Sequence, residues 1–294
     1  MKYKDAVDKY LNTRQFASLS SSSQRGYESC LTSFCRMTVM GRKLNNIRID
    51  KINVVTCTEM YDTWEAVTST SNANHNARVF SVLMNFLVSL DLLTNNPMAR
   101  VRKRTSTPRS VIWTHDQVVQ FLDVAFTKFE WRNIGLIVLM CYEWGQRPVD
   151  IRNLKWEDVK LDQRMVTITQ SKRGATVELP IPDNILDMLR GQKKDWDFQQ
   201  WVVPHHNASD GAYKPLTVHN MTTLLSEVKA IAELPDELRV GDLRKTAIVQ
   251  MIESGVDHLA IQSVSGHKNV SSLNPYNKFS LKTAKSALDR RQRE

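Results

Sequence analysis

One stretch limits what this chain can fold into: PMARVRKRTSTPRS, residues 97–110. It holds five basic residues (Arg100, Arg102, Lys103, Arg104 and Arg109), no acidic one, and a proline towards each end. Such a break in composition marks a boundary between folding units. The length of 294 residues points the same way, being long for one compact core. The expected division is a first domain over 1–99, a basic linker over 100–110 and a second domain over 111–294.

The formal charge of +9, from 40 Lys+Arg against 31 Asp+Glu, favours polyanionic partners: nucleic acid, or less often an acidic membrane surface. The basic stretch then has two readings, a solvated linker or a strap lying along a phosphate backbone. The four cysteines, Cys30, Cys35, Cys57 and Cys141, form no CxxC pair and have no histidines clustered beside them. That pattern suggests neither a zinc site nor a disulfide framework, and it suits a reducing cytosol. The opening residues MKYKDAVDKYLNTRQ hold no apolar signal core, and no segment approaches 18 uninterrupted apolar residues. A soluble, intracellular protein with no membrane partner is expected.

Apolar spacing predicts helices through the first hundred residues. SLSSSSQ (18–24) reads as a loop, followed by a helix in RGYESCLTSFCRM, where Tyr27, Leu31 and Phe34 recur at helical spacing. TCTEMYDTWEAV (56–67) and ARVFSVLMNFLVSLDLL (77–93) add further helices, giving a small bundle of four or five. Beyond the linker, Thr114 is a plausible N-cap for a helix over 114–126, and NIGLIVLMCYEW (133–144) is apolar enough to be buried. RMVTITQS (164–171) and TVELPI (176–181) are β-branched runs flanking KRGA, which reads as a hairpin. Helices dominate afterwards, in HNMTTLLSEVKAIAEL, LRKTAIVQMIESG and LKTAKSALDRRQRE. The expected fold class is mainly α with a small antiparallel β-sheet.

Four places carry reactive side chains. In EWGQRPVDIRNLKWEDV (143–159) the buried helix ends at Gly145, and Pro148 suits the first position of a new one, so Arg147 is held at a rigid junction. Asp150 is within reach to orient its guanidinium; alone, the two read as a structural pair. Arg244 lies near a helix start in LRVGDLRKTAIVQMIESG and by itself belongs to an ordinary amphipathic helix ending at Gly255. Lys172, at the hairpin tip, is by itself a solvated turn lysine. SGHKNVSSLNPYNKF (265–279) sets His267 nine positions ahead of Tyr276, with Lys268 between them, in what could be a polar loop.

Their joint order is specific. GQRPVDIRNLKWEDV, QSKRGATVELPI, DLRKTAIVQMIESG and SGHKNVSSLNPYNKF follow one another as in the tyrosine recombinase, or phage-integrase, family, which this half of the chain resembles. The resemblance covers roughly 111–285 and includes the eight-residue step from Lys172 to Pro180 and the eleven-residue step from Arg244 to Gly255. It implies a tyrosine-recombinase catalytic domain, preceded by a helical core-binding bundle that the first hundred residues resemble only in size, helical content and placement. It also implies site-specific cleavage and rejoining of DNA through a 3′-phosphotyrosine formed on Tyr276. Arg147 and Arg244 would stabilise the transition state, Lys172 would act as general acid, His267 would hydrogen-bond the phosphate, and Asp150 would support. The chemistry agrees: a phosphodiester gains negative charge as an oxygen nucleophile adds, and forked, permanently charged guanidiniums suit its non-bridging oxygens.

The implied partners are double-stranded DNA and a homo-tetramer on paired sites, with accessory DNA-bending proteins a further option. Arg100, Arg102, Lys103 and Arg104 would contact DNA phosphates in a clamp around the duplex. The basic tail (Lys278, Lys282, Lys285, Arg290, Arg291 and Arg293) would pack on a neighbouring subunit. No metal or other cofactor is implied, and no metal-ligand cluster or G-x-x-x-x-G-K-[ST] segment occurs. One position departs from the family: Gly241 stands where a histidine, thought to take the tyrosine's proton, is usual. Lys245, His258, His219 or water are the candidate substitutes. A DNA-binding protein with lost or weakened cleavage, and a related type IB topoisomerase or telomere resolvase, are the competing functions.

Overall fold

The structure is a computed structural model that describes residues 1–172, 174–206, 211–267, 269–276 and Leu288. The chain divides into two units, Met1–Arg109 and Ser110–Glu294. The division falls at the far end of the basic stretch.

In the first unit, helices α1 (Tyr3–Leu11), α2 (Arg14–Ala17) and α3 (Ser21–Phe34) precede two short antiparallel strands, β1 (Thr38–Val39) and β2 (Arg42–Lys43). Helices α4 (Val54–Val67) and α5 (Thr70–Ser89) complete the bundle. Its core holds a cluster of aromatic rings among aliphatic residues: Tyr3 stacks on Phe80 at 5.8 Å between ring centroids, and Phe34 meets Trp64 at 4.7 Å. The serine run 18–24 is not the expected loop. Helix α3 starts inside it because Ser20 caps, its hydroxyl accepting from the Ser23 amide at 3.3 Å. Ser69 likewise starts α5 at Thr70, well ahead of the apolar stripe from which its beginning was expected.

Residues 97–110 begin folded. Pro97–Arg100 forms a 3-10 turn capped by Asn96, and Met98 and Val101 are buried in the first unit's core. The Arg104 amide donates to the Tyr61 hydroxyl at 2.9 Å, while its guanidinium pairs with Glu65 and lies 3.8 Å from Asp62.

The second unit opens with α6 (His115–Ala125), capped by Thr114 in a reciprocal pair with Gln117. Helix α7 (Phe129–Trp144) is the buried helix of this unit, followed after a tight turn by α8 (Pro148–Arg152). Strands β3 (Val159–Lys160), β4 (Met165–Thr169) and β5 (Thr176–Pro180) form an antiparallel sheet in that order. Val166 opposes Leu179 and Ile168 opposes Val177, so alternate residues bury one face.

Helix α9 (Asp183–Trp196) follows, then a second antiparallel pair, β6 (Pro204–His206) with β7 (Tyr213–Pro215). With β1–β2, this makes three small antiparallel sheets among the described residues of a mainly α chain, where one was expected. The three-residue strands β6 and β7 lack the alternating β-branched pattern that marks a strand. Helices α10 (Val218–Ile231), α11 (Val240–Glu253) and α12 (His258–Ser265) lead to 3-10 turns over Val270–Tyr276. Ile248, Ile261 and Leu273 pack together and hold α11, α12 and those turns as one assembly. The expected helix in LKTAKSALDRRQRE and the basic tail lie outside the described residues, Leu288 apart.

Candidate active site

Gly145 ends α7 in a left-handed conformation (φ 59°), and Pro148 opens α8, which leaves Arg147 as the N-cap residue between them. Arg147 Nη1 donates to Gln170 Oε1 at 3.1 Å and lies 3.7 Å from Asp150 Oδ2. Asp150, whose side chain is fully buried, accepts the Ser171 amide on Oδ1 at 2.8 Å. One carboxylate therefore connects the arginine's junction to the base of the β4–β5 hairpin.

Arg244 comes from the first turns of α11 and is buried, only 6% exposed. Nη1 donates to the Gly145 carbonyl at 3.1 Å, and Nη2 donates to the Ser265 carbonyl at 2.8 Å. Burial, and then the charge of Arg147, pull its pKa down to about 10, against the opposing influence of Tyr276 and Asp150. It is still a cation at neutral pH, held beside a second cation with one carboxylate close by.

Helix α12 ends at Gly266, again left-handed (φ 69°), and this reversal brings His267 back over Arg244. His267 Nε2 lies 3.3 Å from Arg244 Nη2, and Nδ1 lies 2.7 Å from the hydroxyl of buried Ser265. The Tyr276 ring sits 6.1 Å from the His267 ring, centroid to centroid, against the Ile248–Ile261–Leu273 cluster.

The fold thus assembles Arg147, Asp150, Arg244, His267 and Tyr276 from four separate segments. Lys172 stands exposed on the hairpin turn, two residues beyond Gln170. Gly241 lies exposed in the first turn of α11, where an added Cβ would meet nothing within 4 Å, so no steric demand selects glycine there.

The three side chains that could replace the usual histidine as base are distributed differently. Lys245 follows Arg244 on α11 and so projects from a different side of that helix. His258 begins α12, at the opposite end from Ser265 and roughly 10 Å along the axis. His219 lines a cavity of about 410 Å³ with Trp196, His205 and Asn220. Arg100, Arg102, Lys103 and Arg104 belong to the first unit, with Arg104 turned towards acidic neighbours.

Sequence reasoning passed over Gln146, Gln170 and Ser265, which are all buried. Gln146 Nε2 donates to the carbonyls of Trp144 and Val264 at 2.9 and 2.6 Å, and its Oε1 accepts from Gln170 Nε2 at 2.8 Å. Neutral amides and a serine have no chemical signature of their own; their one signal is adjacency to Arg147, Lys172 and His267. Chemically, two guanidinium forks, both charged at neutral pH, and an imidazole face the same space as a phenol. Such a set suits a tetrahedral anion that gains charge when the phenol oxygen attacks it.

Residues 112–282 match the model of the phage integrase family, which is more than half of the chain. The chain belongs to that family. Among its relatives, the tyrosine recombinase XerA of Pyrococcus furiosus is 27% identical over 157 residues, covering 53% of this chain and 53% of that protein. The tyrosine recombinase XerC of Pediococcus pentosaceus is 22% identical over 249 residues, covering 82% and 81%. The match thus spans about half the length of the XerA relative. Among solved structures, the Tn1549 transposon integrase in complex with a circular intermediate DNA superposes with a TM-score of 0.77 at 15% identity, over 99% of each chain. A lambda integrase tetramer bound to a Holliday junction gives 0.73 at 17% identity, over 94% of this chain and 76% of that one. At those identities the likeness is one of fold. Among the described residues of this phage-integrase-family chain, no group of three or more His, Cys, Asp or Glu is placed to hold a metal ion. No helix among them is long and apolar enough to cross a membrane.

Proposed function

We propose that the chain is a site-specific DNA recombinase that cleaves and rejoins strands through a 3′-phosphotyrosine. The observation that carries this reading is the convergence of Arg147, Arg244 and His267 beside Tyr276. In the reaction, the Tyr276 oxygen attacks the scissile phosphorus and its proton is lost. The bond from phosphorus to the 5′ oxygen breaks, and the departing oxygen takes a proton from Lys172 on the hairpin turn. The two guanidiniums stabilise charge on the non-bridging oxygens, and an Nε2 hydrogen of His267 adds a third donor. Attack by a 5′ hydroxyl from the partner strand reverses these steps and frees the tyrosine. With Gly241 in place, the proton from Tyr276 passes to water or to a group contributed by the bound complex.

The first unit serves as a second DNA-contacting body, with Arg100, Arg102 and Lys103, all exposed, on phosphates. The working assembly is a tetramer on two paired sites in the cytoplasm, a reading supported by the junction-bound lambda integrase tetramer of the same fold. The test is a denaturing gel with the DNA flanking the gene, nicked near candidate cleavage positions so that product strands diffuse away. A covalent protein–DNA species supports the reading. Binding with no such species would instead indicate a DNA-binding protein of this fold, and relaxation of nonspecific plasmid would indicate a topoisomerase.

A further inference from the structure

Gln170 follows the last residue of β4 and is 1% exposed. Its backbone closes the hairpin: the amide donates to the Ala175 carbonyl at 2.7 Å, and its carbonyl accepts from Gly174 at 2.8 Å. Lys172 lies inside that loop. The side chain meanwhile reaches three other segments. Oε1 accepts from Arg147 Nη1 at 3.1 Å, and Nε2 donates to Gln146 Oε1 and to the Ser265 carbonyl, both at 2.8 Å. The Ser265 carbonyl is also the acceptor for Arg244 Nη2.

These partners fix which way the amide points. Turning it over would set an oxygen against two oxygens and an NH2 against a guanidinium, so only one orientation satisfies every group. The space is equally tight: a Cβ on Gly266 would come within 2.5 Å of Gln170 Nε2. A neutral acceptor has a second consequence. It orients Arg147 without cancelling its charge, which a carboxylate at the same place would do.

We propose that Gln170 is a positioning residue for the cleavage step, fixing the Arg147 guanidinium and joining the Lys172 hairpin to the Ser265–His267 segment. The proposal rests on the recombinase reading of this site. Two variants test it. Gln170→Met keeps the approximate length and removes every side-chain hydrogen bond; Gln170→Glu keeps the shape and the acceptor but adds a charge and loses both donors. Each is compared with wild type for melting temperature, site affinity and single-turnover adduct formation on a nicked site. The substrates carry either an ordinary phosphate or an uncharged methylphosphonate at the scissile position.

Both variants are expected to bind within about threefold of wild type and to form adduct about ten- to a hundredfold more slowly on phosphate. The deficit should shrink on methylphosphonate, which has one fewer charged oxygen for Arg147 to hold. A merely structural glutamine would slow both substrates alike, in step with lost stability, and that result overturns the proposal. Adduct formation at the wild-type rate in either variant overturns it as well. Absence of adduct from wild type itself would strike the recombinase reading and take the proposal with it, an outcome distinct from a failure of Gln170 alone.

Discussion

Arg244 Nη2 lies 3.3 Å from Nε2 of His267. An arginine can only donate, so Nε2 is the acceptor, and the ring hydrogen is on Nδ1, pointing at the Ser265 hydroxyl 2.7 Å away. To donate to a phosphate oxygen, His267 must carry a hydrogen on Nε2. Ser265 permits this change because a hydroxyl can accept from Nδ1–H or donate to bare Nδ1.

Ser265→Ala should therefore slow adduct formation by about tenfold near neutral pH while site affinity changes by less than about twofold, the cost of removing one hydrogen bond at a reacting centre. Thr at the same position should restore part of the rate. Single-turnover cleavage under saturating protein measures both.

Arg244 discharges far below an ordinary arginine because burial lowers its pKa to about 10. The folded value lies below the unfolded one, so the cost of burying this cation is present at neutral pH and is relieved only as pH rises above about 10. Cleavage should fall over that same alkaline range. In Arg244→Lys the replacement ammonium is equally desolvated and starts from a lower intrinsic pKa, so the alkaline fall should move to lower pH and the maximum should drop. A pH profile of adduct formation reads both effects.

Gly145 and Gly266 both adopt positive φ, but only Gly266 is also crowded. At Gly145 an added Cβ would come no nearer than 3.4 Å, to Ala247, whereas at Gly266 it would press on Gln170. Gly145→Ala is expected to cost about 1 kcal/mol of stability and Gly266→Ala about 2–3 kcal/mol. Urea unfolding of the two variants gives the comparison, and equal costs would contradict it.

Phosphate binding by the basic stretch should appear in the salt dependence of DNA affinity. Replacing Arg102 or Lys103 by Ala should reduce the slope of log K against log[salt] by about 0.9 for each phosphate that is no longer neutralised. Arg104→Ala should reduce it less, because Glu65 and Asp62 already engage that guanidinium. Titrations at several salt concentrations separate these cases.

Elements driven by local chemistry were legible in the sequence: the Thr114 cap, the Gly145–Pro148 junction and the β4–β5 hairpin all follow from short-range preferences. The serine run misled because the same residue type that favours loops also starts helices, as Ser20 does. Arg147, Arg244, His267 and Tyr276 could be found by their order, since each bears a group suited to phosphate chemistry. Gln146, Gln170 and Ser265 could not. Gln170 meets Ser265 across 95 positions of sequence, and nothing in a neutral amide announces a partner that distant. Gly241 stands out only against the family pattern; the structure shows open space around it, with no atom that a Cβ would meet within 4 Å.

Attack of Tyr276 on the phosphate is read by comparing wild type with Tyr276→Phe on a nicked site, with binding followed by gel shift and covalent product by denaturing gel. Wild type is expected to form the adduct, and Tyr276→Phe to bind nearly as well and form none. Adduct persisting in Tyr276→Phe would contradict the account and turn attention to Tyr142, Tyr213 or Tyr27 as the nucleophile.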